Sequence, residues 1–284
     1  MINFKLFLIS SVPNLLKRLL RINIFKRLSI SKYNVIVIKK KILIVNHSKK
    51  IFETPVKRGS RPLKDGVEIV LPFLYYGEYW QNPERRPVFL YQVNLGTGVQ
   101  TIFHEFSHIR HIHFVQQDKF DSNYLLVGTG DLNYESGIYR INIKTKDIEV
   151  IGEGSQTYRA VSIIQTKDYL FWGSDDPDGN NFIYRYNKSN GKLNKLHKLE
   201  GPAYYSATDK KERMYMATTI EDRKRHRAII YRSTDNGENW EQYKEFKKDI
   251  WHTKYFGYGL IEFAENQKEL EELSYKLTGL KEIK

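Results

Sequence analysis

Four stretches of this chain each deliver a carboxylate just past an apolar or aromatic run: Glu78 after Tyr75-Tyr76-Gly77, Asp131 after Thr129-Gly130, Asp175 and Asp176 after Trp172-Gly173-Ser174, and Glu221 after Thr218-Thr219-Ile220. Two such groups flanking a glycosidic oxygen, one protonated and one ionised, are what hydrolysis of a sugar linkage needs. Elimination across a uronic acid needs other parts: a base for the proton beside the carboxylate, and a cation for the enediolate that forms. His111 or His113, Tyr204 and Arg159 have that chemistry. The spacing His111-x-His113 turns both imidazoles to one side of a strand, where Asp131 completes a set of ligands for a divalent metal. Tyr79, Trp80 and Trp172 add flat apolar faces on which a sugar ring stacks.

What aligns these residues is a repeat. Tyr91, Tyr139, Tyr184 and Tyr231 each close a short apolar run, at spacings of 48, 45 and 47 residues. A period of this size, built from short β-branched and aromatic runs, predicts the four antiparallel strands of a propeller blade. Strands are expected at 111–115, 124–128, 137–143 and 148–151, then at 159–164, 169–173, 182–187 and 192–196, then at 203–207, 213–218, 228–233 and 241–246. A less regular blade covers 67–106. Segments 34–38 and 42–45 from one end, with 255–263 and 273–277 from the other, are expected to share a closing blade. That gives five blades, or six if residues 33–60 hold further strands. In a blade, the start of the first strand and the end of the second open on the same face of the disc. The acids of the four stretches, His111, His113, Arg159 and Tyr204 are therefore expected on one rim and channel mouth. Turns of the opposite face, such as Asn187-Lys188-Ser189-Asn190-Gly191, have ordinary turn chemistry.

The last repeat continues as Ser233-Thr234-Asp235-Asn236-Gly237-Glu238-Asn239-Trp240, the Asp-box pattern Ser-x-Asp-x-Gly-x-x-Trp. With this motif, the blade period and the Trp-Gly-Ser-Asp and Ile-Tyr-Arg segments, the chain resembles the sialidase-like superfamily of BNR/Asp-box propellers over roughly residues 65–263. The resemblance implies an all-β propeller in which Asp235 closes a structural turn and Trp240 packs beneath it. Sialidases also bring three arginines to the substrate carboxylate and carry a Phe-Arg-Ile-Pro segment near the start. Neither is found here, and Arg159 alone is well placed, so the scaffold is implied without the sialidase reaction.

Composition narrows the classes further. Hydrophobic residues make up 40% of the chain and aromatics 14%, enough for a buried core. There is no cysteine, which excludes disulfides and thiolate chemistry. The net charge of +13 is local: residues 1–50 hold 12 Lys or Arg and no acid, leaving 34 basic against 33 acidic residues elsewhere. No nucleic-acid partner is expected of the propeller. Residues 1–32 read as a separate segment ahead of a propeller spanning 33–284. Pro13 opens an expected helix over 13–28, with Leu16, Leu19, Leu20, Ile24 and Leu28 on one face and Lys17, Arg18, Arg21 and Arg27 largely on the other. Such a helix suits an anionic membrane surface or packs against the propeller; a signal-peptide core at Leu6 to Val12 is the third reading. A cytoplasmic or membrane-associated location is favoured over secretion.

These features point to a carbohydrate-active propeller enzyme, a glycoside hydrolase or polysaccharide lyase, acting on an acidic poly- or oligosaccharide. The alternative is a noncatalytic glycan-binding or scaffold propeller. The expected catalytic groups are Glu78, His113, Asp131, Asp175, Tyr204 and Glu221, and the expected substrate contacts are Tyr79, His111, Arg159 and Trp172. No cofactor is required, although His111, His113 and Asp131 offer a place for a divalent metal.

Overall fold

Short apolar runs cut by Gly, Pro and Asn turns favour strands along this chain. The computed structural model describes residues 25–30, 33–38, 40–46, 49–221, 226–250 and 257–283. Among these the only helical segments are short 3-10 turns, and no helix is long and apolar enough to cross a membrane. The chain forms two compact units. The first comprises Met1–Gln117, Ser122–Asp131 and Arg140–Glu149; the second comprises Asp118–Asp121, Leu132–Tyr139 and Val150–Lys284.

In the first unit β1 (Phe25–Ile30), β2 (Tyr33–Ile38), β3 (Lys41–Asn46) and β4 (Lys49–Pro55) pair in chain order as one antiparallel sheet. β5 (Val67–Val70), β6 (Phe73–Gly77), β7 (Val88–Asn94) and β8 (Gln100–Phe106) form a second. Val35, Val37, Ile42 and Ile44 are buried in one core with Val67, Ile69, Leu74, Tyr76 and Val93. Their neighbours Ile36, Leu43 and Val45 are buried in another cluster, so both faces of β2 and β3 are covered and the runs read as continuously apolar. β9 (His111–Gln117) then pairs antiparallel with β10 (Tyr124–Gly130). β11 (Gly137–Asn142) and β12 (Ile148–Glu153) follow in the chain.

The second unit contains β13 (Ile164–Gln165), β14 (Tyr169–Gly173), β15 (Phe182–Asn187) and β16 (Leu193–Lys198), again in chain order. β17 (Ala203–Thr208), β18 (Met214–Thr218), β19 (Arg227–Ser233) and β20 (Glu241–Lys248) form the next sheet. β21 (Leu260–Phe263) and β22 (Tyr275–Thr278) make a two-stranded sheet, and β23 (Leu280–Glu282) extends the β17–β20 sheet by pairing with β20.

The tyrosine repeat has a physical basis. Tyr91, Tyr184 and Tyr231 sit on third strands, directly opposite Tyr76, Trp172 and Met216 of the second strands. Tyr91 stacks on Tyr76 at 5.1 Å between ring centroids, and Tyr184 on Trp172 at 6.1 Å. The pairing of third with fourth strand slips by one residue immediately before each of the three tyrosines. Such a bulge raises the local twist.

Three expectations are corrected. The N-terminal strands do not share a closing blade with the C-terminal ones: β1 supplies the fourth strand that 34–55 alone lacks, and β21 pairs with β22 instead. The expected helix over 13–28 does not reach its end, because Phe25–Ile30 is extended and paired with β2. Leu28 and Ile30 alternate with Arg27 and Ser29, a period-two pattern within the helical one. Residues 13–24 lie outside the described residues. The strand expected at 159–164 is reduced to Ile164–Gln165 and a single bridge between Ala160 and Ser174.

The Asp box folds as a turn. Asp235 accepts from the Ser233 hydroxyl at 2.8 Å and the Asn239 amide at 2.9 Å, and the Trp240 indole N–H donates to the Gly237 carbonyl. The Asn239 backbone and side-chain N–H groups hold the Asp235 carboxyl below the usual carboxylate range. A lowered folded value means that its contribution is full above the ordinary aspartate value, about 3.9, and is lost as pH falls below it. Asp235→Ala should lower the thermal midpoint by about 2–4 °C near neutral pH, the shift that about 1 kcal/mol gives at this size. In melts repeated towards pH 3 the gap to the parent protein should close.

Candidate metal centre

β9 and β10 are joined by an irregular pairing that serves the polar residues. Gly128 pairs with Phe114 and Thr129 with Ile112, so His113 is an extra residue on β9. Bulges of this kind re-aim side chains. Room for the imidazole comes from Gly130: a Cβ there would lie 2.4 Å from His113 Cε1, which no side chain tolerates. Glycine at 130 thus lets the ring lie against the β10 backbone and reach the next residue, Asp131.

The result is a triangle of polar atoms. Nε2 of His111 lies 3.1 Å from Nε2 of His113 and 3.1 Å from Oδ1 of Asp131, and the third side, His113 Nε2 to Asp131 Oδ1, is 3.2 Å. Both histidines are buried, at 4% and 2% exposure, whereas the Asp131 side chain keeps 15%. The tautomer of His111 follows from its other nitrogen. Nδ1 is 3.1 Å from the Trp80 carbonyl oxygen, which only accepts, so Nδ1 carries the proton and neutral His111 turns the Nε2 lone pair into the triangle. With His111 neutral, at most one imidazole proton, that of His113, serves three contacts among three acceptor atoms. The cluster is completed by further protons or by a cation.

The dimensions fit a cation. Ligands at about 2.1 Å from one ion in neighbouring octahedral positions lie about 3.0 Å apart, close to the sides of the triangle. Two histidines and one carboxylate on one face of an ion leave its other positions open. A ligating histidine that donates its second N–H to a backbone carbonyl, as His111 does to Trp80, is the usual outer support of such a site. When further protons complete the cluster in place of a cation, burial opposes ionisation of Asp131, but hydrogen bonds and positive charge from the then protonated His111 and His113 outweigh it and hold the carboxyl well below the usual carboxylate range.

A second segment braces the centre residue by residue. The Ile112 amide donates to the Glu78 carbonyl at 2.9 Å, and Tyr79 stacks on His111 with centroids 4.1 Å apart. Trp80 orients His111, and Gln81 accepts from Arg110 through its backbone and side-chain oxygens. Asn82, fully buried, donates to the Ile109 carbonyl at 3.0 Å. Residues 78–82 therefore run antiparallel to 109–112, with one contact after another.

The structure brings His111, His113, Asp131 and Tyr79 together. Glu78 is not a solvated rim acid: it has no exposure, Arg58 grips both of its oxygens, and the Phe89 amide donates to it. Arg58 also covers the Trp80 ring at 5.2 Å. In the second unit Arg159 Nε donates to Asp175 Oδ2 at 3.1 Å, and Asp176 accepts from the Asp178 amide as a turn former. Trp172 is wholly buried and donates to the Thr157 carbonyl, so it presents no face to a sugar. Tyr204 and Glu221 are half-buried there. Sequence reasoning missed Arg110 and Gln81. Arg110 Nη1 donates to Asp131 Oδ2 at 2.6 Å. The available signal was adjacency, since Arg110 directly precedes His111.

No family model matches this chain, and no curated protein matches it in sequence. Solved structures do. The β-propeller domain of Cps50 (Swd1) from Myceliophteria thermophila has a TM-score of 0.56 at 8% identity, covering 90% of this chain and 83% of that one. An oligogalacturonate lyase in complex with manganese has a TM-score of 0.52 at 9% identity over 74% of this chain. The Vibrio parahaemolyticus oligogalacturonate lyase VPA0088 gives 0.52 at 11% over the same share. This chain spans 61% and 62% of those two lyases, less than two thirds of either. At such identities the likeness is one of fold: the protein is all-β and propeller-like.

Gly130→Ala should push the His113 ring out of the triangle. Manganese binding, measured by calorimetry, is expected to weaken by about 10-fold or more, in the range seen when supporting residues of metal sites are disturbed.

Proposed function

We propose that this protein is a metal-dependent carbohydrate-active propeller enzyme that cleaves an acidic oligosaccharide by elimination, with its centre at His111, His113 and Asp131. The observation that carries the reading is the triangle of ligand atoms with sides of 3.1, 3.1 and 3.2 Å, built from two buried imidazoles and one carboxylate. The propeller likeness to oligogalacturonate lyases, one of them holding manganese, supports the choice of an acidic sugar.

When bound, a divalent ion supplies a Lewis acid that withdraws charge from a substrate carboxylate and acidifies the neighbouring C–H. The chain's own residues have distinct parts. His111, locked by Trp80, offers a lone pair of fixed direction, and His113 does so from the bulge. Asp131 contributes one negative charge through Oδ1 while Oδ2 is held by Arg110. Both imidazoles spend their inward nitrogens on the triangle, so neither serves as the base expected of His113. A solvent hydroxide takes the proton beside the carboxylate, the pair of electrons forms the carbon–carbon double bond as the glycosidic C–O bond breaks, and water protonates the departing oxygen. Elimination is favoured over hydrolysis because Glu78, the expected carboxyl on the segment that adjoins the centre, is sealed in an ion pair with Arg58. A buried, paired acid of that kind does not flank a glycosidic oxygen.

The test is direct. Oligogalacturonate incubated with manganese-loaded protein should give products with a carbon–carbon double bond, followed by ultraviolet absorbance. A chelator should stop the reaction and manganese restore it. His113→Ala and Asp131→Ala should each cut both metal affinity and rate by more than about 100-fold, beyond the range of supporting residues. Saturated products, or full activity after complete removal of metal, overturn the reading. Tight sugar binding with no product transfers the site to the glycan-binding alternative.

A further inference from the structure

Arg110 is held on three sides. Its Nε–H donates to the Gln81 backbone carbonyl at 3.0 Å, Nη2 donates to the Gln81 side-chain oxygen, and Nη1 donates to Asp131 Oδ2 at 2.6 Å. A guanidinium carries five N–H groups in a rigid plane. Three are accounted for, and among the described residues the other two, one on each terminal nitrogen, have no protein partner. The side chain keeps 28% exposure, more than Asp131 beside it and far more than either histidine. A planar cation is thus fixed in orientation with spare donors, next to the one carboxylate of the metal centre.

Charge sharpens the point. Asp131 brings one negative charge to the triangle and the Arg110 ion pair already balances it, while histidines ligate as neutral groups. A divalent ion placed there keeps its charge uncompensated by this pair. An anionic ligand that meets the ion and the guanidinium together relieves both. Carboxylates match the guanidinium plane, whereas neutral hydroxyls gain little from it.

We propose that Arg110 is the carboxylate-reading residue of this centre, so that metal and acidic sugar bind cooperatively. The inference rests on the metal-centre reading and replaces Arg159, which is engaged with Asp175 in the other unit. Cooperativity of this kind is reciprocal: the sugar tightens the metal by the same factor as the metal tightens the sugar.

The experiment titrates manganese into the full chain alone, with D-galacturonate and with D-galactose, which differ by the carboxylate. Galacturonate should tighten manganese binding by about 5-fold or more, within the usual range of coupling between sites, and galactose should leave it unchanged. In Arg110→Gln manganese should still bind, with the galacturonate effect reduced below about twofold. Arg110→Lys, which retains the charge without the planar fork, should lose most of the effect. Full coupling in either variant, or equal coupling by galactose, overturns the role of Arg110 and leaves the metal centre standing. Absence of manganese binding to the parent protein overturns both. Should Arg110→Gln fail to fold, Arg110→Lys alone decides between these outcomes.

Discussion

In three repeats of this protein a bulky cross-strand pair joins the second and third strands. Tyr76 against Tyr91, Trp172 against Tyr184 and Met216 against Tyr231 occupy the same register position in three sheets, and the pairing with the fourth strand slips immediately before each third-strand tyrosine. An aromatic side chain buries about 150–250 Å², worth roughly 4–6 kcal/mol as a gross upper figure at 25 cal/mol per Å². Exposed pairs such as Arg227 with Glu200 contribute at most about 1 kcal/mol. Packing at these cross-strand pairs therefore sets the sheet geometry, and the ion pairs decorate it.

The cluster of His111, His113 and Asp131 uses the same device to a different end. The slip between β9 and β10 falls at His113, so a distortion that elsewhere sets up packing here turns an imidazole towards Asp131. Inserting three acceptor atoms into an otherwise apolar sheet is costly without a shared cation or protons. The surrounding framework of Trp80, Gln81 and Arg110 holds them in place regardless. That combination, a rigid frame around a locally unfavourable cluster, is typical of sites shaped by use more than by stability.

The repeated antiparallel sheets were legible because the sequence carries a periodic trace, a tyrosine every 45 to 48 positions, and three of those tyrosines take the same place on a third strand. The sequence also revealed the centre, since His111-x-His113 and Asp131 need only strand pairing to meet. What it hid was context. Glu78 and Asp131 look alike in the repeat, yet Arg58, twenty residues earlier, removes the first from solvent, and nothing in the spacing announces that partner. Trp172 is apolar and flat whether it faces a sugar or a neighbouring strand. The closure failed for a related reason. Phe25–Ile30 satisfies a helical and an extended pattern at once, and its pairing with β2 decides between them.

The antiparallel match between residues 78–82 and 109–112 has one more consequence. Glu78, Trp80, Gln81 and Asn82 each meet a successive partner, Ile112, His111, Arg110 and Ile109, in reverse order. The two segments thus share a reading frame. Gain or loss of one residue in either would shift every later partner by one place, so that Trp80 would no longer meet the histidine.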